Sequence, residues 1–238
     1  MPDIQKRDPD DVKEMFAGVS KNYDKINRAM CFGLDALWRK SLAKAALRGA
    51  PSRPKIADIA CGSGDVCLAL ARKCPSAEIV GIDFCPAMLQ IAAQKIKRAG
   101  LESRVKFVEA DCQNTPFEAG AFDAATIAFG FRNFQNRAAC LSEISRVLKS
   151  GGRLAMLEVS RANAAMESAQ RVFMSHIVPN IAALFGGERA SYKYLANTTL
   201  TYPYPREVEA MFAAAGFHKI TTRKFGCGLV AITSGVKK

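Results

Sequence analysis

Apolar positions change period several times along this chain, and the changes mark its elements. Val12, Met15, Phe16 and Val19 fall at i, i+3, i+4 and i+7, so residues 10 to 48 are expected to be helical throughout. Pro51 and Pro54 end that region and lead into a different pattern. Short apolar runs then alternate with helical spacing. Ile56–Ile59 precedes a helix over Val66–Lys73, and Ile79–Asp83 precedes a helix from Pro86 to Ala99. A third strand, Val105–Ala110, is closed by Asp111, and after a loop from Gln113 to Gly120 comes a fourth, Phe122–Phe129. A helix over Arg137–Leu148 is expected to stop at Lys149-Ser150-Gly151-Gly152, before a fifth strand from Arg153 to Glu158. This β/α alternation predicts parallel strands, right-handed crossovers and a ligand at the strands' carboxyl ends. From Ala162 to Thr201 the alternation gives way to helical material, which Pro203 and Pro205 are expected to end. A last helix, Glu207–Ala215, and two closing strands, Phe217–Phe225 and Gly228–Thr233, complete the reading.

The chemistry gathers at the first turn. Asp58-Ile59-Ala60-Cys61-Gly62-Ser63-Gly64-Asp65 is a strand end, a glycine turn and a helix start, which lets backbone approach a nucleotide closely. Asp83 follows about 20 residues later, where a carboxylate commonly accepts hydrogen bonds from ribose hydroxyls. Asp111, after the third strand, suits a position near an adenine edge. A dinucleotide site would place a third glycine at Cys67, and no Gly-Lys-Ser/Thr follows to hold phosphate. Carboxylates at 58 and 65 would repel pyrophosphate and attract an ammonium or sulfonium. S-adenosyl-L-methionine is therefore the expected ligand; a bare strand-turn-helix without ligand is the alternative.

Composition narrows the setting. The 238 residues suit one α/β domain, divided into an N-terminal helical cover (1–55), a cofactor-binding core (56–160), a helical insertion or lid (161–205) and a closing helix with strands (206–238). No apolar run is long enough to span a bilayer, and the opening MPDIQKRDPDD lacks the apolar stretch of a signal peptide. These features predict a cytoplasmic protein, or one peripheral on the inner face of a membrane. Eight cysteines include no C-x-x-C, and only His176 and His218 could join them, so no metal site is expected. The net charge of +12 divides into +5 for residues 1–55, +6 for 161–238 and +1 for the centre. Basic flanks around a neutral core suit an anionic partner, or serve solubility alone. An anionic membrane surface is expected to be bound reversibly, with Phe173–Phe185 adding a shallow apolar contact. Nucleic acid is not the expected partner, since no RNA-binding module is recognisable.

Several motifs go further. Met15-Phe16, Tyr23-Asp24, Asn27, Met30, Gly33 and Trp38-Arg39, then the glycine turn, Phe129-Gly130-Phe131-Arg132-Asn133, Arg146-Val147-Leu148-Lys149-Ser150-Gly151-Gly152, Glu158-Val159-Ser160 and Tyr192-x-Tyr194-Leu195 resemble the signatures of the ubiquinone/menaquinone biosynthesis C-methyltransferases. The resemblance covers roughly residues 10 to 236. Cys61 stands where that family usually has glycine, Ser63 where it has threonine, Ser150 where it has proline, and Ala128 where some members have serine. It implies a Rossmann-like class I methyltransferase sheet, mostly parallel with an antiparallel C-terminal strand and helices on both faces. It also implies cofactor contacts at Ser63, Asp83, Asp111 and Cys112, beside Asp58, Gly62 and Gly64 from the turn.

The implied reaction moves a methyl group from S-adenosyl-L-methionine to a ring carbon of a reduced polyprenyl quinone precursor, benzoquinol or naphthoquinol. Such a carbon becomes nucleophilic when a neighbouring hydroxyl loses its proton. Tyr23, Arg132 and Asn133 are the candidate catalytic residues; Arg132 keeps its proton and would stabilise the phenolate or orient a water. A structural ion pair is the competing role for Arg132. Competing functions are methylation of another lipid-like or phenolic acceptor and a non-catalytic scaffold for quinone-pathway enzymes. A homodimer is left open.

Overall fold

The computed structural model describes residues 23–161, 164–184 and 189–238. Seven strands form one sheet in the order β3-β2-β1-β4-β5-β7-β6. They are β1 (Lys55–Ile59), β2 (Glu78–Asp83), β3 (Val105–Glu109), β4 (Phe122–Ala128), β5 (Leu148–Val159), β6 (Phe217–Phe225) and β7 (Val230–Lys237). The first five are parallel, and β7 enters antiparallel between β5 and β6. The mostly parallel sheet with one antiparallel C-terminal strand is as expected from the sequence. Strand order steps outward from β1 to β3, then restarts on the other side with β4. That reversal opens a crevice at the carboxyl ends of β1 and β4, the usual ligand position in such sheets.

Period-two alternation explains why both faces are covered. Ile56, Ala155 and Leu157 join one buried cluster with Leu42 and Leu70, from α2 (Asp35–Ala46) and α3 (Asp65–Lys73). Ala57, Leu154 and Met156 join the opposite cluster with Leu141, Ile144 and Phe212, from α5 (Arg137–Val147) and α9 (Pro205–Ala214). Between β2 and β3 lies α4 (Pro86–Arg98), whose first residue is the proline expected there. Phe122, Phe131 and Phe212 are completely buried, and truncating any of them to alanine should cost ~3–5 kcal/mol.

Several boundaries differ from the sequence reading. The continuous helix expected over 10–48 is interrupted, and its part before residue 23 lies outside the described residues. The first described helix, α1, covers Tyr23–Met30; the chain then turns through Phe32 and Gly33, both with positive φ, into α2. Helix α5 does end near Leu148, but the Lys149–Gly152 segment is not a helix stop. It already belongs to β5, and Gly152 packs so closely that an added Cβ would sit 2.7 Å from the Lys149 carbonyl oxygen. β3 ends at Glu109, two residues before Asp111. Pro205 opens α9 instead of ending the preceding helix, because its fixed φ suits a first turn. β7 runs on to Lys237, beyond the expected end at Thr233.

The segment expected as an insertion contains α6 (Ala164–Val172), a π-helical turn over Phe173–Ile177, α7 (Val178–Leu184) and α8 (Arg189–Leu200). It meets α1 through a small cluster of Ile26 and Val178 flanked by Met30, Phe173 and Met174. Part of its apolar stripe is thus core, and part, described below, is exposed. Among the described residues no helix is long and apolar enough to cross a membrane.

Candidate active site

The glycine turn joins β1 to α3 in the crevice. Gly64 has φ 80°, and an added Cβ would lie 3.0 Å from the Ala92 Cβ on α4, so both conformation and space require glycine. Asp83, at the carboxyl end of β2, is 7 % exposed and caps this turn. One carboxylate oxygen accepts from the Gly62 N–H at 2.8 Å and the other from the Cys85 N–H at 3.0 Å. Burial raises its pKa, while those N–H groups pull in the opposite direction. A carboxylate accepts about four hydrogen bonds, so capacity remains for ribose hydroxyls.

Asp58 is more deeply enclosed. Thr126 Oγ1 donates to it at 2.7 Å and Cys67 Sγ at 3.2 Å, and burial pushes its pKa to about 7. Cys67 therefore supports a carboxylate at the position where a dinucleotide turn would carry glycine. Burial also pushes the Cys61 thiol up to about 11, and its sulfur fits against β2, 2.9 Å from where a Cβ on Gly81 would lie. Cys61 packs as a small buried hydrophobe with its proton on.

Ser63 and Asp65 are tied to groups that sequence reasoning did not find. Lys95, on α4, donates to Asp24 at 2.7 Å, to Ser63 at 3.3 Å and also to Asp65. Ser63 Oγ in turn donates to Asp24 Oδ1 at 2.6 Å, and Arg39 pairs with Asp35 and approaches Asp65 to 3.6 Å. Asp65 is thus already neutralised and does not stand open for a sulfonium or ammonium, contrary to the expectation from sequence. The same network fastens α1 over the glycine turn. Asp24 lies inside a recognisable motif, but a partner 71 positions away leaves no local trace.

Asp111 and Cys112 occupy the turn after β3. Asp111 is exposed, and its carboxylate accepts from the Gln113 backbone N–H at 2.9 Å and from the Gln113 side chain at 3.1 Å. Cys112 turns towards α5, where its sulfur lies 2.8 Å from that of Cys140; that contact, then burial, raises its pKa.

The other half of the crevice follows β4. Phe129 has φ 58°, a left-handed conformation costing a non-glycine residue about 1–2 kcal/mol, and its N–H is held by the Leu157 carbonyl at 2.9 Å. The next residue, Gly130, meets the Ala60 Cβ so closely that a side chain there would sit 2.8 Å from it. Phe131, Arg132 and Asn133 form one 3-10 turn. Arg132 pairs with Glu158 in a buried ion pair, and its backbone N–H donates to the same carboxylate at 3.1 Å. The competing structural role is therefore visible in the geometry. Asn133 Oδ1 is buried without a hydrogen-bond partner, and so is the hydroxyl of Tyr202, which is 3 % exposed. Burial, then the nearby Glu158 charge, raises the Tyr202 pKa well above the ordinary phenol value. Arg137 lies over the Tyr202 ring at 5.5 Å and donates to the Arg132 carbonyl at 2.9 Å. Tyr23 opens α1, and its side chain lies outside the described residues.

The first half, with a close-approach glycine turn and the buried Asp83 carboxylate at the end of β2, fits a nucleoside. Together with the sheet order, it defines an S-adenosyl-L-methionine-dependent methyltransferase. Among solved structures, a SAM-dependent methyltransferase from Aquifex aeolicus has the same fold, with TM-score 0.59 and 16 % identity over 82 % of this chain and 89 % of that one. The chain is 44 % identical over 204 residues to a demethylmenaquinone methyltransferase of Thermus thermophilus, covering 85 % of this chain and 91 % of the relative. It is 37 % identical over 229 residues to the ubiquinone/menaquinone biosynthesis C-methyltransferase UbiE of Syntrophotalea carbinolica, covering 95 % and 94 %. The sequence profile of the ubiE/COQ5 methyltransferase family matches residues 4–237, and the protein belongs to that family.

Proposed function

We propose that the protein methylates a ring carbon of a reduced polyprenyl quinone precursor. The observation that carries this reading is the match, over nearly the whole chain, to relatives named for demethylmenaquinone and ubiquinone/menaquinone methylation. S-adenosyl-L-methionine, when bound, supplies an electrophilic methyl on a cationic sulfur. Asp83 is proposed to hold its ribose, with Gly62, Ser63 and Gly64 giving close backbone approach, Asp58 bracing the turn from behind through Thr126 and Cys67, and Asp111 and Cys112 bordering the adenine. On the acceptor side, Tyr202 keeps its proton, so its hydroxyl is suited to donate to a developing phenolate oxygen. Asn133 Oδ1 suits a hydroxyl of the ring as its missing partner. Arg132 acts through Glu158: the pair fixes the Phe131–Asn133 turn and places positive charge near the phenolate. Tyr23, at the start of α1, is proposed as a further catalytic residue favouring the phenolate. Orientation of the ring carbon against the methyl is the larger contribution, worth about 7–11 kcal/mol in favourable cases. The greasy prenyl tail of such an acceptor also suits reversible contact with a membrane.

The test is a turnover assay with purified protein, S-adenosyl-L-methionine and either demethylmenaquinol or the corresponding prenylated benzoquinol, read by mass spectrometry. A product one methyl heavier, absent with the oxidised quinone, is expected. No methylation of either quinol, by protein that binds the cofactor, would reject the acceptor class.

A further inference from the structure

Exposed apolar side chains are not scattered over this molecule. Seven large hydrophobic residues are exposed among the described residues, and six come from two segments. Phe32 (75 % exposed), Leu34 and Leu37 (57 %) belong to the turn between α1 and α2 and the start of α2; Met166, Val172 and Ile177 belong to α6 and the π-helical turn. The two segments touch, with the Phe32 and Phe173 rings 6.4 Å apart between centroids. An apolar concentration of this kind marks an interaction surface.

Directly beside it runs a basic groove between α2 and α3, with Leu37 on its wall. Arg28, Lys40, Lys44, Arg72 and Lys73 line it, all five exposed and none in a salt bridge with a described residue. The carboxylate on its floor, Asp65, is already occupied by Lys95 and Arg39. We propose that this face docks on the headgroup layer of an anionic phospholipid bilayer: the groove's cations meet lipid phosphates while Phe32, Leu34 and Leu37 enter the interfacial region. Charge complementarity argues for that occupant. The cations spread along three helices, as suits a field of phosphates, and do not converge on one point as a single phosphate ligand would require. The adjoining apolar residues find a place at the headgroup–acyl boundary and none on nucleic acid backbone. Because Asp24 fastens α1 to the glycine turn, docking of this turn brings the crevice up to the lipid surface. The proposal rests on the acceptor reading only for its purpose, delivery of a prenylated substrate.

The experiment is flotation of the full chain with vesicles of phosphatidylcholine alone, or of phosphatidylcholine with phosphatidylglycerol, at low and high salt and without quinol. Recovery with the anionic vesicles only, lost at high salt, is expected. Lys40→Glu/Lys44→Glu/Arg72→Glu should lower the partition coefficient about 100-fold or more, since each basic residue near an anionic surface contributes about a factor of five. Phe32→Asn/Leu37→Gln should lower it about 10-fold; asparagine is chosen because Phe32 has φ 48°. Both variants should keep the wild-type melting temperature, cofactor affinity and turnover of a short-chain, water-soluble quinol. Equal wild-type recovery on neutral and anionic vesicles, or unchanged binding by the charge-reversed variant, would overturn the proposal. So would tighter binding to duplex DNA or RNA than to the anionic vesicles, which would make the groove a nucleic-acid surface. Vesicle binding without turnover of any quinol would support the docking face and reject the acceptor class instead.

Discussion

The two halves of the crevice are built on opposite terms. At the ends of β1 and β2, Asp83 has a backbone N–H on each oxygen, Asp58 is held by Thr126 and Cys67, and Ser63 is bonded to Asp24. Left-handed strain is common to both, at Ala60 (φ 53°) after β1 and Phe129 (φ 58°) after β4, but on the second side Asn133 Oδ1 and the Tyr202 hydroxyl are also buried without partners. A buried polar atom left unpaired costs about 1–3 kcal/mol, a cost a folded protein retains where something else supplies the bond. We propose that the first half meets the cofactor with its side chains already partnered, and that substrate supplies the bonds the second half lacks. Substitutions that separate binding from turnover are therefore the sharpest probes.

The largest effect is expected from Arg132→Ala, which strands Glu158 as a buried, unpaired carboxylate. Stability should fall by ~3–5 kcal/mol in a denaturant titration. A loss near zero would mean the pair is not enclosed and would dissolve the acceptor half as described. Next comes Asp83→Ala, which removes a charged acceptor from the ribose and uncaps the Gly62 and Cys85 N–H groups. Calorimetry should show cofactor affinity weakened by ~1.5–3 kcal/mol or more, with circular dichroism reporting a folded chain. Unchanged affinity would remove Asp83 from the cofactor site.

Tyr202→Phe tests the other half with a smaller change. Because the hydroxyl has no partner in the protein, its removal should leave the melting temperature unchanged or raise it. Turnover should nonetheless fall about 10-fold at constant cofactor affinity, the pattern of an interaction made at the reacting ring. Unaltered turnover would return Tyr202 to simple packing.

A last test concerns pH. Asp58 has its pKa raised by burial to about 7 in the folded protein, against an ordinary value of 3.8. Its contribution to stability is full below the ordinary value and is lost as pH rises through about 7. Asp58→Asn should lack that decline, so the variant gains on wild type between pH 4 and 8 in thermal melts. Parallel pH profiles would show that Asp58 is not buried as described.

What was legible in the sequence is what is local. The glycine turn, Asp83 at a strand end and the alternation of strands and helices need only neighbours in the chain, and each stands in the fold. The Phe129–Asn133 motif was visible, but not that Arg132 would find Glu158, 26 positions on. Lys95 escaped notice because its partners, Asp24, Ser63 and Asp65, come from two other segments. Gly151-Gly152 reads as a helix stop in sequence because glycine pairs mark both helix ends and tight strand entries, and only the sheet register decides between them. Nothing local around Asp111 signals that strand pairing stops at Glu109.

The ties from Lys95 and Ser63 to Asp24 have a consequence for timing. They hold α1 against the turn proposed to receive the cofactor, so entry and departure are expected to wait on an opening event. Partly exposed ion pairs are worth only about 1 kcal/mol or less, which makes that opening frequent, and salt weakens them further. Stopped-flow measurements should find cofactor association accelerated several-fold by added salt in the wild type, and insensitive to salt in Asp24→Asn. In this protein the first helix would then act as a clock on the cofactor's traffic, one that runs faster as the ionic strength rises.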